Sequence, residues 1–555
     1  MKVILASLNS KYVHSNLAIR YIKAFAKTYK IDLFEATINE NPMDIAIKIY
    51  EENPSVIGFS CYIWNIDHTL KVCSILKSFN ENIKIILGGP EVTYNPYEYL
   101  NNYDYVDFVI AGEGELSFNL LLKHIDGQID AGSIEGVYFR HDGAVKGRES
   151  AIIEALDVLE FPYKDKADLP EKIVYYEASR GCPFSCKYCL SSVIRGIRFF
   201  PIGRVLDELQ FFIDNNVPLV KFVDRTFNAN KRFAVAIWKY LIEKNPKTVF
   251  HFEIAADLLD DEALEVLETA PKGLFQFEVG VQSTNPEILK NINRVMKFDK
   301  VRSNVEKVLD KGNIHCHLDL IAGLPGEDVK SFKNSFNQCM EIMPSVLQLG
   351  FLKILKGSPM EREARKYKMK WCSFPPYQII STSTMSAKDI IDLMEIEKVF
   401  EVFYNSGIFE KTMQYSIESI YDKFTFFNEF KEFLKEREFF TRSMNLRDRF
   451  MLLYDFLSLE YEDVLIRDLL TIDYLLNTKK PNLPEPFIKE NEKSLRDSLH
   501  ENEEKLEKAF KKFEYKRLFP ISTSIKVTVD NGRYAYKKGE FVLVVDFGSG
   551  NFTYI

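Results

Sequence analysis

Short apolar runs alternate with amphipathic helical stretches through most of the first 355 residues of this 555-residue chain. Five runs in the N-terminal part are typical of buried strands, at 2–8, 31–37, 55–63, 83–89 and 106–112. Helical stretches such as 16–29 and 68–79 lie between them. Strands that are apolar throughout and separated by helices predict a parallel sheet covered on both faces. We therefore expect residues 1–135 to form an α/β domain whose ligand site lies beyond the carboxyl ends of the strands.

A second strand–helix series follows after residue 170. Its predicted strands are 173–179, 219–224, 250–256, 274–283, 314–323 and 345–355. Six such units predict a partial (β/α)6 barrel, a partial TIM barrel, over residues 171–365. In that architecture functional residues gather at the C-terminal ends of the strands.

The remaining segments differ in character from both series. Residues 136–170 are predicted to form a linker with a hairpin around Asp142–Gly143 and several prolines. Residues 366–555 are predicted to form an α-rich C-terminal domain, aromatic and charged, that ends in three strands. Those strands are "SIKVTVDNG", "RYAYKKG" and "EFVLVVDFGSG".

Composition narrows the functional class. The formal net charge of −8 disfavours bulk nucleic-acid binding, which needs a basic surface. Eight cysteines are too few for a disulfide-dense secreted scaffold. The N-terminus does not resemble a signal peptide, and no run of 18 apolar residues predicts a membrane helix. We therefore expect a protein of the reducing cytoplasm, with no membrane partner.

The cysteines of "EASRGCPFSCKYCLSS" follow the first predicted barrel strand. Cys182, Cys186 and Cys189 form a C-x3-C-x2-C run, and no fourth cysteine lies within 30 residues of Cys189. A closed structural metal site takes every ligand from the protein, whereas a catalytic site keeps one position open. On a [4Fe–4S] cluster, three cysteines would leave one iron for an exogenous ligand. A zinc knuckle with a distant fourth ligand and three incidental buried cysteines are the alternatives.

A C-x3-C-x2-C run after the first of six βα units resembles the radical S-adenosylmethionine (SAM) superfamily. The resemblance implies a [4Fe–4S] cluster on Cys182, Cys186 and Cys189, whose unique iron binds the amino and carboxylate groups of SAM. It also implies that an electron donor, such as flavodoxin or ferredoxin, drives cleavage of SAM to a 5′-deoxyadenosyl radical.

The later strands resemble the SAM-binding motifs of the superfamily. The resemblance implies that Glu253 contacts the ribose or the carboxylate, and that the backbone at 321–323 contacts the adenine. "FVDRTF" departs from the common Gly-Gly-Glu motif of the family. Carboxylates inside a barrel are costly unless they are paired, which favours a functional interpretation of Glu253 and Glu278. The implied SAM contacts are Tyr188, Asp224, Glu253, Glu278, Gln282, Ser283, Arg294, Ile321, Gly323 and Leu355.

The domain order resembles the cobalamin-binding subset of the superfamily, which implies a Rossmann-like, cobalamin-binding N-terminal domain. The loops "GFSCYIWN", "LGGPEVTYNP" and "AGEGELSF" are similar to those around the corrin in that subset. The D-x-H-x-x-G motif is absent, so neither His14 nor His68 is predicted to ligate cobalt. The implied cobalamin contacts are Gly58, Ser60, Cys61, Trp64, Gly88, Gly89, Glu91, Gly112 and Glu113.

The resulting prediction is a cobalamin-dependent radical SAM enzyme that methylates an unactivated carbon of a small molecule or a peptide. One alternative is a radical rearrangement or ring contraction without methyl transfer. A non-catalytic cobalamin or redox sensor is another. Methylthiotransferases normally carry three further cluster cysteines before the barrel, whereas this chain has only Cys61 and Cys73 there. One cluster per chain is therefore expected.

Overall fold

The computed structural model describes residues 1–149, 152–164, 169–194, 196–479, 482–488, 492–510, 513–530 and 533–555. A seven-stranded sheet comprises β1 (Val3–Asn9), β2 (Ile31–Thr37), β3 (Val56–Ser60), β4 (Lys84–Gly88), β5 (Phe108–Ile110), β6 (Val137–His141) and β7 (Ala144–Gly147). Its helices are α1 (Leu17–Phe25), α2 (Pro42–Glu51), α3 (Ile66–Phe79), α4 (Pro90–Thr93), α5 (Pro96–Asn102) and α6 (Gly114–Ile125).

The strand order of this first sheet is β2-β1-β3-β4-β5-β6-β7, and its first five strands are parallel. Every residue of β1 is buried, because alternate side chains enter cores on opposite faces of the sheet. Val3 and Leu5 pack in the core that includes α1 and α6, whereas Ile4 and Ala6 pack in the core that includes α2 and α3. The predicted two-faced α/β domain is confirmed.

The hairpin of β6 and β7 pairs antiparallel with β5 and so extends the first sheet. The sequence predicts this hairpin as part of the linker over 136–170. It belongs instead to the N-terminal unit, because Val137 and Phe139 pack in its core.

The second sheet is the partial barrel. Its six parallel strands are β8 (Ile173–Tyr176), β11 (Leu219–Phe222), β12 (Val249–Ile254), β13 (Phe275–Gln282), β14 (His315–Ala322) and β15 (Val346–Phe351). A hairpin of β9 (Ser179–Cys182) and β10 (Gly196–Phe199) follows β8. The helices are α7 (Ile202–Asp214), α8 (Lys231–Lys244), α9 (Asp261–Glu268), α10 (Pro286–Asn291), α11 (Phe298–Asp310) and α12 (Val329–Glu341). All six predicted strands are present.

Side chains along β13 alternate between the helices and the barrel interior. Phe275 and Phe277 are buried against the helical layer, where the rings of Phe277 and Trp238 lie 5.8 Å apart. Glu278, the residue after Phe277, points into the barrel interior because the side chains of successive strand residues alternate between the two faces. The register pairs Glu278 with Glu253 on β12, and this brings carboxylates of neighbouring strands together inside the barrel.

The C-terminal region contains α13 (Pro359–Glu363), β16 (Lys370–Trp371), β17 (Ile379–Ser381), α14 (Ala387–Phe400), α15 (Glu410–Glu418), α16 (Lys423–Lys435), α17 (Leu446–Leu457) and α18 (Asp463–Thr478). It ends with α19 (Glu492–Glu501), α20 (Glu503–Ala509), β18 (Leu518–Asp530), β19 (Arg533–Asp546) and β20 (Phe552–Tyr554). The α-rich character is confirmed. "RYAYKKG" and "EFVLVVD", predicted as separate strands, form the single strand β19, which pairs with β18 along its length.

No helix in the described part of the chain is long and apolar enough to cross a membrane.

Candidate active site

The cysteine loop opens on a cavity of about 200 Å³ at the C-terminal ends of the barrel strands. Cys182, Cys186 and Cys189 line it, and they are the only ones of the eight cysteines, all described, that do so. Gly181 gives the loop its entry angle: its φ is +103°, and a Cβ there would collide with the carbonyl of Gly196 on β10.

Two arginines provide positive charge beside the three thiols. The Arg294 Nη1 lies 3.8 Å from the Cys186 Sγ and 3.5 Å from the Tyr188 Oη. Burial raises the pKa of the Cys186 thiol, and Arg294 opposes that shift. Arg225 lines the same cavity, and its own pKa is raised by the Glu253 carboxylate and by the Cys189 and Cys182 thiols against the effect of burial. A negatively charged group held by the thiolates would therefore meet two cations.

Carboxylates also line this 200 Å³ cavity, which is called the smaller cavity below. Glu253 Oε2 lies 3.8 Å from Arg225 Nη1. Glu278 Oε2 lies 3.2 Å from Lys221 Nζ and 3.4 Å from His251 Nε2, and these two side chains hold the Glu278 carboxylate in place. Glu253 and Glu278, both predicted as SAM contacts, thus line the smaller cavity.

Asp319 also lines this cavity, although we did not predict it. Burial, reinforced by Glu278 and Glu253, raises its pKa to about 8. Among the residues that the structure describes, neither Asp319 Oδ1 nor Gln282 Oε1 has a hydrogen-bond partner, although both atoms are buried. Buried polar atoms without a partner in the protein mark a place where a ligand can supply one. The signal for Asp319 was its position on β14, two residues before the predicted adenine contact.

Tyr188, Gln282 and Arg294 join Glu253 and Glu278 as predicted SAM contacts that line the smaller cavity. The other five lie outside its lining: Asp224, Ser283, Ile321, Gly323 and Leu355.

Two of those five are engaged elsewhere in the fold. The buried carboxylate of Asp224 accepts hydrogen bonds from the Ala178 N, at 3.0 Å, and the Ser179 Oγ, at 2.5 Å. It supports the entry to the cysteine hairpin. The Ser283 Oγ donates to Glu327 Oε1 at 2.7 Å.

The remaining three carry structural contacts. Gly323 has a φ of +83°, and a Cβ there would come within 2.8 Å of the Ile379 side chain. Ile321 packs against the main core, and the Leu355 carbonyl accepts from the Ser358 N in a turn after β15. A backbone contact from 321–323 to adenine stays a prediction.

A larger cavity of about 940 Å³ lies between the first sheet and the barrel. Its walls include the loops after β1, β3, β4 and β5, together with Tyr175 and Val223 of the barrel. Ser191 and Arg225 line both cavities, so the two spaces are neighbours across these side chains.

Four of the predicted cobalamin contacts line this larger cavity: Trp64, Gly89, Gly112 and Glu113. Trp64 is 49% exposed and stacks on Tyr62, with ring centroids 4.4 Å apart and planes within 10°. Gly89 has a φ of +108° and approaches the Cys61 backbone so closely that a Cβ would meet the Cys61 carbonyl oxygen at 2.6 Å.

The other five predicted cobalamin contacts are not part of its lining: Gly58, Ser60, Cys61, Gly88 and Glu91. Gly58 faces the core, since a Cβ there would lie 2.8 Å from Leu5 Cδ2. The Ser60 Oγ accepts from Asn16 Nδ2 at 3.1 Å, and the Gly88 carbonyl accepts from the Cys61 N at 2.7 Å. Cys61 is fully buried, which raises the pKa of its thiol.

Glu91 takes part in a contact between the N-terminal unit and the segment after the barrel. Its carboxylate accepts hydrogen bonds from Tyr99 and Tyr377, and Lys356 Nζ lies 3.7 Å away. Burial raises the pKa of Glu91 despite these partners.

The two histidines of the N-terminal unit have different surroundings. His14 lines the larger cavity, and its Nδ1 lies 2.8 Å from the Tyr175 Oη. Burial, together with nearby lysines, lowers the pKa of His14, which favours the neutral ring. His68 Nε2 instead contacts the Glu40 carbonyl at 2.9 Å.

Three protein-family models match separate parts of the chain. The B12 binding domain matches residues 2–122, and the Radical SAM superfamily matches residues 176–339. The chain therefore contains a B12-binding domain followed by a radical SAM domain. The third family model, described as a protein of unknown function (DUF4080), matches residues 365–538.

Individual relatives agree with these two domain matches. A 2-(S-pantetheinyl)-carbapenam-3-carboxylate methyltransferase from Streptantibioticus cattleyicolor is 27% identical over 310 residues, 52% of this chain. The aligned part covers only 45% of that relative's length. An anaerobic magnesium-protoporphyrin IX monomethyl ester cyclase from Rubrivivax gelatinosus is 22% identical over 341 residues, 59% of this chain and 61% of the relative.

Among solved structures, the cobalamin-dependent SAM radical enzyme OxsB, with aqua-cobalamin and SAM bound, matches with a TM-score of 0.62. The match covers 90% of this chain and 83% of OxsB at 16% sequence identity. At that identity the similarity shows a shared fold.

A radical SAM domain implies a [4Fe–4S] cluster and SAM, and a B12-binding domain implies cobalamin. The residues present fit these groups. Three thiols line the smaller cavity, the number that a cluster with one iron left free requires. The unpartnered Asp319 and Gln282 oxygens suit hydroxyl or ammonium donors. The larger cavity supplies an aromatic platform at Trp64 and closely approachable backbone at Gly89.

Proposed function

We propose that this protein is a cobalamin-dependent radical SAM enzyme that transfers a methyl group to an unactivated carbon of its substrate. The observation that carries the proposal is the shared wall of the two cavities at Ser191 and Arg225. A group bound beside the thiols and a group bound beside the N-terminal loops would meet across this wall. Holding two reactants at such a place is itself a large part of catalysis.

The bound cofactors supply the bond-breaking chemistry, namely radical generation from SAM and methyl delivery from cobalamin. The protein's own residues bind, orient and shield. Cys182, Cys186 and Cys189 would hold the cluster through their thiolates. Arg225 and Arg294 would offset its negative charge, and the partly buried Tyr188 ring would shield one side of it from water.

The carboxylate wall would orient SAM. Glu253 and Glu278 accept hydrogen bonds from hydroxyl or ammonium groups, and each is already paired with a cation that limits its movement. Asp319, with a pKa of about 8, keeps its proton at neutral pH and can both donate and accept a hydrogen bond. Gln282 offers its free amide oxygen.

The substrate and the redox partner are proposed more broadly. We propose a small-molecule or peptide substrate, since the acidic chain does not favour bulk nucleic acid. Radical SAM enzymes need a reductant, and a flavodoxin or a ferredoxin would supply the electron. All eight cysteines are unpaired, which suits a reducing cytoplasm.

The division of labour follows the domain boundaries that we predict, at 1–135, 171–365 and 366–555, with the hairpin of β6 and β7 added to the first. In this proposal the first domain holds cobalamin, the second holds the cluster and SAM, and the third closes the far side of the barrel.

A second candidate function is a cobalamin-dependent ring-forming or rearrangement reaction without net methyl transfer. The similarity to the Rubrivivax gelatinosus cyclase, which spans more of this chain than the methyltransferase match does, favours it. A non-catalytic sensor is the third possibility, and the same experiment addresses all three.

The test begins with anaerobic reconstitution using iron, sulfide and hydroxocobalamin, followed by gel filtration. We expect both iron–sulfur and corrin absorption to be retained. Titanium(III) citrate and SAM are then added without substrate. Formation of both 5′-deoxyadenosine and methylcobalamin supports the methyltransferase. 5′-Deoxyadenosine without methylcobalamin supports the second candidate, and neither product supports a sensor.

Cys186→Ala provides the matched control. It removes one cluster thiol and should abolish iron retention and both products while leaving the corrin band, since Cys186 lines only the smaller cavity. Retention of a zinc ion by the wild-type protein in place of iron would refute the proposal.

A further inference from the structure

Two arginines project from the cysteine hairpin toward the N-terminal unit. Arg180 on β9 and Arg198 on β10 are register partners in an antiparallel pair, and the same register pairs Cys182 with Gly196. Directly opposite residues of antiparallel strands point to the same side. Both guanidinium groups therefore move with the hairpin that carries the first cluster cysteine.

The partners of these arginines in the N-terminal unit are Glu113, in the loop that follows β5, and Glu115, in the first turn of α6. Arg198 donates two hydrogen bonds to the Glu113 carboxylate, from Nη2 to Oε1 at 2.6 Å and from Nη1 to Oε2 at 3.1 Å. The Arg180 Nη2 lies 2.5 Å from Glu115 Oε1, and its Nη1 lies 3.8 Å from Glu113. Arg180 is also 2.7 Å from Glu177.

The network is largely withdrawn from solvent. The side chains of Arg180 and Arg198 are 12% and 15% exposed, and those of Glu113 and Glu115 are 14% and 6% exposed. Bidentate arginine–carboxylate pairs fix geometry as well as adding energy. Removal of one partner from such a buried pair leaves an uncompensated charge, so the contact resists separation.

We propose that Glu113 and Glu115, with Arg180 and Arg198, form a clamp that sets the separation between the cobalamin site and the cluster. The four are positioning residues, and this inference rests on the function proposed above. It also revises the role of Glu113, which we had predicted as a cobalamin contact. Both carboxylate oxygens of Glu113 are occupied by Arg198, and Oε2 also accepts from the Ile153 N at 2.8 Å.

A second contact between the same two units provides a control. Lys356 lies on the segment after the last barrel strand, distant in sequence from the cysteine hairpin, and Glu98 lies in α5. The Lys356 Nζ is 3.0 Å from Glu98 Oε2. It joins the units without involving the strand that ends at Cys182. Glu98→Gln should therefore leave the cofactor separation unchanged.

The experiment uses the full chain, reconstituted with the cluster and hydroxocobalamin and then reduced so that both the cluster and cob(II)alamin are paramagnetic. The variants are Glu113→Gln, Arg198→Gln and the double variant, in which neither charge is left unpaired. The readout is the enhancement of cob(II)alamin electron spin relaxation by the nearby reduced cluster, which depends on their distance. Iron content and corrin retention are measured on every sample.

We expect both single variants to retain iron and corrin but to lose most of the relaxation enhancement, with no further loss in the double variant. Such non-additivity is expected of residues in one network. Methylcobalamin formation from SAM should fall about 100-fold, the cost typical of a misplacement of about 1 Å. Glu98→Gln should behave like the wild type.

Wild-type enhancement in both single variants would overturn the clamp. So would loss of corrin from Glu113→Gln but not from Arg198→Gln, because that result would make the carboxylate a cobalamin contact. If the wild-type protein retains no corrin, the proposed function itself fails and the clamp with it. The corrin content of the wild-type protein therefore distinguishes failure of the proposed function from failure of the clamp alone.

Discussion

Replacement of Asp319 by asparagine should make the protein more stable at alkaline pH. Asp319, on β14, has a buried carboxylate oxygen and lies near two other carboxylates; burial and these charges raise its pKa from the ordinary 3.8 to about 8. In the unfolded chain the same carboxyl ionises near its ordinary pKa. Between these values the folded protein keeps a proton that the unfolded protein releases, so stability is present at low pH and is lost as the pH rises toward 8.

The size of the effect follows from the size of the shift. Each pKa unit corresponds to about 1.4 kcal/mol, so the penalty accumulates at that rate per pH unit across the window. Between pH 5 and pH 8 this gives about 4 kcal/mol as an upper bound, because water in the adjoining cavity and Arg294 screen the charge. Asparagine has nearly the same shape and carries no charge, so Asp319→Asn should escape the penalty.

The assay is thermal unfolding of the cofactor-free protein from pH 5 to pH 9, followed by tryptophan fluorescence. Trp238 is buried on α8 of the barrel and reports on the domain that contains Asp319. For a domain of this size, 4 kcal/mol corresponds to a rise in Tm of about 10 °C. The advantage of Asp319→Asn should grow steadily up to pH 8 and then level off.

A pH-independent difference in Tm would refute the reasoning, and so would a variant less stable than the wild type throughout. The second result would mean that Asp319 is ionised and paired with Arg294. Asp261→Asn is the matched control, because the Asp261 side chain is 94% exposed and its charge should have little effect on Tm at any pH.

Three further predictions concern the two cavities and their surroundings. Trp64→Ala removes the aromatic platform of the larger cavity and should raise the hydroxocobalamin dissociation constant about tenfold without loss of iron, as equilibrium dialysis would measure. Tyr377→Phe removes a donor to the buried Glu91 and should cost about 1–3 kcal/mol, seen as a lower Tm, whereas Tyr421→Phe at an 87% exposed ring should cost little. Arg225→Met removes a cation from beside the cluster thiols, so the reduction potential of the cluster should become more negative in an EPR-monitored titration. An unchanged potential would exclude a role for that charge.

The sequence by itself determined the elements and their order. The apolar run of β1 and the alternation along β13 predict a two-faced sheet and a barrel wall, because strand periodicity depends on residues two apart. The spacing of Cys182, Cys186 and Cys189 is likewise local, and it was enough to point to an open metal site. Both features can be recognised from the sequence alone, because neither depends on a contact between residues that are distant in the chain.

Only the tertiary structure decided which polar side chains face a cavity. Glu91, in α4, and Glu113, just before α6, both follow strands of the first sheet, yet Glu113 meets Arg198 of the cysteine hairpin and Glu91 meets Tyr377 after the barrel. Asp319 resembles Asp224 in sequence terms, since both are carboxylates at or near the ends of barrel strands. Their different surroundings arise because the direction and partner of a side chain at a strand end depend on elements far away in the sequence, which no local pattern encodes.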